Sequence, residues 1–133
     1  MVTESQKSHF LNLYHIALCD MQIEPTELEK LYLIGSEKGI TSEEIDSIVL
    51  HPDKIKFIIP ESIEQKIEYL YDLAQIAWSD GKIDNNEKFT LELFCSKFGF
   101  EQDHISTITQ FILDEVEKKT KLSDVLLIVR QNL

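Results

Sequence analysis

Apolar positions recur at helical spacing along almost the whole chain. Phe10, Leu13, Tyr14, Ala17, Leu18 and Met21 advance by steps of three and one, the stripe of an amphipathic helix that should end near Asp20. Glu24-Pro25-Thr26-Glu27 then opens a second helix, with Glu24 at the cap and Pro25 in the first helical position, running to about Lys38. Gly39 closes it in the left-handed conformation, and Thr41-Ser42-Glu43-Glu44 is a capping box for a third helix through Val49. The segment from His51 to Pro60 has a proline near each end and apolar residues between, and reads as a packed connector. Ile63, Ile67, Leu70, Tyr71, Ala74, Ala77 and Trp78 predict a fourth helix ending near Asp80, followed by a fifth over Asn85 to Phe98 that Gly99 terminates. A sixth helix is expected from Asp103 to about Thr120, and a short seventh capped by Ser123 and reaching Val129, with no strand.

Sliding the chain by 60 residues reveals an internal repeat. The stretch from Ala17 aligns without a gap to the stretch from Ala77, with Asp20/Asp80, Ile23/Ile83, Glu27/Glu87, Leu31/Leu91, Gly39/Gly99 and Ile45/Ile105 among the identical pairs. The fold expected is a seven-helix bundle: a three-helix unit duplicated about a pseudo-twofold axis, with units near 10–50 and 70–112, and a C-terminal helix over the remainder. At 133 residues the chain suits one such domain.

The repeated carboxylates carry the candidate chemistry. Asp20 and Glu27, and likewise Asp80 and Glu87, hold positions beside the apolar stripes, where a carboxylate needs pairing, hydrogen bonds or a metal. The run from Asp80 to Glu87 matches the second half of an EF-hand calcium loop, Gly81 at the turn and Asp84 and Glu87 as acids. Its first half is missing, since Ile76 and Trp78 stand where side-chain oxygens are needed. Two half-sites facing each other could complete one cation site, and oxygen ligands of this kind select Ca²⁺, Mg²⁺ or Mn²⁺. A second reading stays open, in which the same acids cap helices or pair with Lys30 and Lys82 and no metal is needed.

Two copies of an Asp-x-x-Ile-x-x-x-Glu signature at helix–helix turns, Asp20 to Glu27 and Asp80 to Glu87, resemble the TerB-like (tellurite-resistance protein B) family. The second copy also resembles a pattern in the N-terminal domains of certain DnaJ-like co-chaperones. The resemblance implies a seven-helix pseudo-twofold bundle in a stress-response setting whose central acids bind metal, calcium in some members. It assigns that role to Asp20, Glu27, Asp80 and Glu87, with Asp84 as a lesser candidate. The first copy departs from the pattern at Met21, where the second has Gly81.

Charge and composition narrow the partners. Thirteen Lys and Arg against 24 Asp and Glu leave a net charge of −11, which repels phosphate backbones and anionic membranes, so nucleic acid is not expected. No apolar run is long enough to cross a bilayer and no signal-peptide pattern opens the chain, so a cytoplasmic location without membrane insertion is expected. Cys19 and Cys95 are isolated and read as small buried hydrophobes. Nucleophile-elbow, zinc-protease and phosphate-loop patterns are all absent, so the expectation is a non-enzymatic module with a protein partner and a homodimer as one option. The histidines His9, His15, His51 and His104 are expected at the surface or at helix edges, and Phe89, Phe94, Phe98 and Phe100 in the core.

Overall fold

The computed structural model describes residues 3–17, 25–51, 53, 56–78 and 85–131, the side chains of 15–17 and 25–27 excepted. Seven helices, α1 (Glu4–Ala17), α2 (Pro25–Glu37), α3 (Ser42–Leu50), α4 (Ile63–Ala77), α5 (Asn85–Lys97), α6 (Gln102–Glu117) and α7 (Leu122–Gln131), make an all-α protein with no strand among the described residues. None of these helices is long and apolar enough to cross a membrane.

The local signals act as their chemistry dictates. Thr41 and Glu44 form the reciprocal capping box that opens α3, and the Ser62 hydroxyl accepts the Gln65 N–H at the start of α4. Gly39 (φ 79°) and Gly99 (φ 92°) end α2 and α5 in the left-handed region, where a side chain is costly. Lys119 (φ 62°) performs the same turn after α6 without glycine. The Tyr71 hydroxyl reaches the following carbonyl of Thr120 at 2.6 Å, which ties that turn to α4. Tyr32 on α2 donates to Asp46 on α3 at 2.5 Å, a bond that pushes the phenol pKa up to about 12.

α4 is the axis of the molecule, packed by α1, α2, α5, α6 and α7. Surrounded in this way its second half has almost no solvent face: Tyr69 through Ala74 are all buried in sequence, together with Ile67, Ile76 and Ala77. Phe10 and Leu13 of α1, Leu31 and Ile34 of α2, Leu91 and Phe94 of α5 and Ile112 of α6 close around it. Cys95 is wholly buried beside the Thr109 hydroxyl, and burial raises its thiol pKa. The connector touches the bundle without being buried in it: Ile58 N–H donates to the Ser8 hydroxyl and Phe57 stacks on Phe98, but Phe57 and Ile59 are 42% and 48% exposed, so the expected packing is only partial.

Three expectations need correction. Ser123 lies inside α7 and is not its cap, because the helix already begins at Leu122. Phe89 is 66% exposed: α5 turns Leu91, Phe94 and Cys95 inward, and Phe89 projects from the other side of the helix. His9 is 1% exposed, not at a surface or helix edge, because it faces α4 across one of the most extensive helix contacts in the bundle.

Pairs across that contact fix direction. Ser5 meets Tyr69 and His9 meets Asp72, so α1 and α4 run side by side in the same sense and finish at the same end. Lys38, just after α2, reaches Glu68 and Asp72, and Lys66 lies over Phe100, just after α5. α2 and α5 therefore close near the beginning and middle of α4 and open towards the end where α1 and α4 finish.

Candidate functional site

Of the repeated acids, Glu87 alone has a described side chain. Glu87, in the first turn of α5, is 4% exposed, so the expectation of a core-side carboxylate holds for it. A negative side chain there complements the positive end of the helix dipole. Glu27 occupies the corresponding first turn of α2, with its side chain outside the described residues. Asp20, Asp80 and Asp84, and with them the turns expected around Gly81 and Lys82, lie outside the described residues, as do Cys19 and the His15 side chain. Among the described residues no group of three or more His, Cys, Asp or Glu side chains converges to hold a metal ion.

A second polar constellation, which no motif in the chain announces, sits on α4 itself. His9 Nε2 is 2.9 Å from Asp72 Oδ2, and Lys38 Nζ lies 3.1 Å from the same oxygen and 2.5 Å from Glu68 Oε2. The imidazole stacks on Tyr69 with centroids 3.8 Å apart and planes 5° from parallel, and the Tyr69 hydroxyl meets the Ser5 hydroxyl at 3.1 Å. A carboxylate can only accept, so Nε2 carries the proton and Nδ1 keeps its lone pair. Nδ1 is buried with no hydrogen-bond partner among the described residues. Beside this cluster a polar cleft of about 410 Å³ opens, lined by Gln6, His9, Lys38, Gln65 and Glu68 among others.

Electrostatics within the cluster follow from burial. Desolvation holds the His9 pKa below its ordinary 6.5, outweighing the neighbouring Asp72 carboxylate, so the ring is neutral at pH 7. Burial also disfavours the Lys38 charge, but Asp72 and Glu68 together outweigh it and hold the ammonium pKa above the usual value. One lysine thus bridges two carboxylates while a neutral imidazole donates to one of them. An imidazole oriented by a carboxylate has the polarity of a general base, yet no hydroxyl or thiol among the described residues lies within hydrogen-bond reach of Nδ1. The cluster instead fastens α1, the end of α2 and α4 to one another.

Two signals could have found it. His9 is four residues before Leu13 and so shares the inward face of α1. Asp72 is four residues before Ile76 in a helix with few charged positions in its second half.

The chain matches no family model, no curated protein and no solved structure.

Proposed function

We propose that this chain is a non-enzymatic, TerB-like helical module that binds a divalent cation at one end of the bundle, through Asp20, Glu27, Asp80, Asp84 and Glu87. The observation that carries the reading is the burial of Glu87, which is 4% exposed in the first turn of α5. A carboxylate carried inside the bundle is a hard oxygen donor of the kind Ca²⁺ prefers, with Mg²⁺ or Mn²⁺ as alternatives of the same ligand preference.

The same reading makes the protein a duplicated three-helix unit. α2 and α5 have equal lengths of 13 residues and begin 60 positions apart, and Gly39 and Gly99 take the same left-handed turn. Phe10 and Leu70, Leu13 and Leu73, Leu31 and Leu91, and Ile45 and Ile105 are buried in matching pairs. His9 stacks on Tyr69, its own counterpart 60 residues on, as residues beside a twofold axis must. The TerB-like assignment rests on the paired signature and this symmetry.

The test is thermal unfolding followed by Trp78 fluorescence in EDTA, Ca²⁺, Mg²⁺ and Mn²⁺. A cation at a hundredfold over its dissociation constant adds about 2.7 kcal/mol to the folded state, a rise of several degrees in a domain this size. Asp80→Asn combined with Glu87→Gln should abolish the rise. A midpoint indifferent to every ion sinks the cation reading and leaves the helix-capping one, which the Thr41–Glu44 box already exemplifies elsewhere in the chain.

A further inference from the structure

At the other end of α4 the surface falls into a groove of about 430 Å³ between the first halves of α4 and α6 and the second half of α7. Thr107, Ile108 and Phe111 form its α6 wall, at the spacing of one helical face, and Ile63 and Ile67 of α4 stand opposite with Val129 of α7. α7 packs through the fully buried Val125 and lines the groove with Val129, while Ile63 opposite is 42% exposed. Three helices thus present apolar side chains to a trough that none of them fills.

The groove is open along one side, so it suits side chains delivered by an element laid across it better than a ligand enclosed within it. Its volume lies within the range of ordinary binding sites and takes a few apolar anchors, not a whole helix. Charge selects what bears those anchors. Glu101 and Asp103 are exposed at the mouth, beside the lining residues Phe100 and His104, and form no ion pair among the described residues. Glu101 occupies the cap position of α6 without a side-chain capping bond, so its carboxylate is not engaged by its own helix. Glu64 is paired with Arg130 at 2.7 Å, and the Lys66 ammonium lies 5.7 Å from the Phe100 ring centroid. Glu101 and Asp103 outnumber that one unpaired lysine, so the local charge is net negative, on a chain of net charge −11. A second copy of this chain or an anionic lipid would bring like charge to that rim.

We propose that this groove docks an amphipathic helix of a partner protein, its apolar i, i+3, i+4 side chains seated between α4, α6 and α7 and its flanking Lys or Arg residues against Glu101 and Asp103. The proposal is independent of the cation reading, because none of the groove's lining residues is among the acids invoked there.

The experiment uses the full chain and fluorescein-labelled peptides about four turns long, followed by anisotropy at low and high salt. One peptide has Leu at helical spacing with Lys elsewhere, a second has Glu in place of Lys, and a third has the Leu/Lys composition scrambled to break the stripe. Saturable binding of the first, about tenfold weaker for each of the other two, is the expected result. Thr107→Arg places a bulky cation in the groove from an exposed position, so the fold should survive, as circular dichroism will verify, and affinity for the first peptide should fall about tenfold. Glu101→Lys with Asp103→Lys should weaken binding and flatten its salt dependence. Failure of the first peptide to bind, equal binding of the Glu peptide, or full affinity in Thr107→Arg overturns the proposal. So does a dimer in sedimentation that Thr107→Arg dissolves, which would make the occupant a second copy.

Discussion

Asp72→Ala removes the carboxylate on which the buried cluster converges, and the structure allows its cost to be worked out. The aspartate is 5% exposed and is the hydrogen-bond acceptor for His9 Nε2 at 2.9 Å. Without it the imidazole N–H has no acceptor in a site closed to water, which costs about 1–3 kcal/mol. Lys38 keeps Glu68 at 2.5 Å, so its charge stays paired and losing its contact with Asp72 adds about 1 kcal/mol. The vacated volume adds on the order of 1 kcal/mol, and relief of the aspartate's own desolvation offsets part of the total. We expect a net loss of about 2–4 kcal/mol, read as a lower urea midpoint with unchanged slope at about pH 7.5, above the ordinary histidine pKa. Asp72→Asn keeps an acceptor for His9 and should cost about 1 kcal/mol. Asp72→Leu with His9→Phe should recover much of the alanine loss, because the buried acceptor and the imidazole N–H that needs it disappear together while Lys38 keeps Glu68. An alanine variant within about 1 kcal/mol of the parent, or an asparagine variant as damaging as alanine, would refute this account of the cluster.

The same histidine makes stability depend on pH. Its folded pKa is below 6.5, so as pH falls the unfolded chain binds the proton first; the contribution is complete above 6.5 and declines as pH drops through 6.5 towards the folded value. His9→Gln should therefore lose stability less steeply than the parent over that interval, and parallel thermal-midpoint curves for the two would contradict a buried neutral imidazole. Gly39→Ala tests the left-handed turn: nothing lies within 4 Å of the added methyl, so the cost is backbone strain alone, about 1 kcal/mol after the unfolded-chain gain, and a raised urea midpoint would be incompatible with a φ of 79°.

Helix positions are largely legible in the amino-acid sequence because they depend on chemistry within a few residues. The stripe spacing, Pro25, the Thr41–Glu44 box, Ser62 and the two glycines each act locally, and each does so in the folded chain. Expectation and structure part where a local signal is ambiguous. Ser123 has the chemistry of a cap, but α7 starts one residue earlier and absorbs it. Phe89 has the hydrophobicity of a core residue, yet lies on the side of α5 turned away from the core.

Of the candidate cation site, the sequence supplies the residue types and their twofold spacing. Of its geometry, the core-side position of Glu87 follows from its place beside the apolar stripe, while the common end of α1 and α4 emerges only on folding.

What the sequence determined by itself, then, is the helical content, the boundaries, the repeat and the acidity, since all follow from short-range periodicity and composition. What only the tertiary structure decided is which faces are inside. A stripe predicts one buried face per helix, but α4 is packed by five others and its second half loses its polar face almost altogether. Asp72 is consequently carried into the interior, where the low dielectric makes partners obligatory, and His9 and Lys38, 63 and 34 residues away in sequence, supply them. Distances of that kind along the chain leave no local pattern, because the pairing is set by how helices stack and not by which residues adjoin.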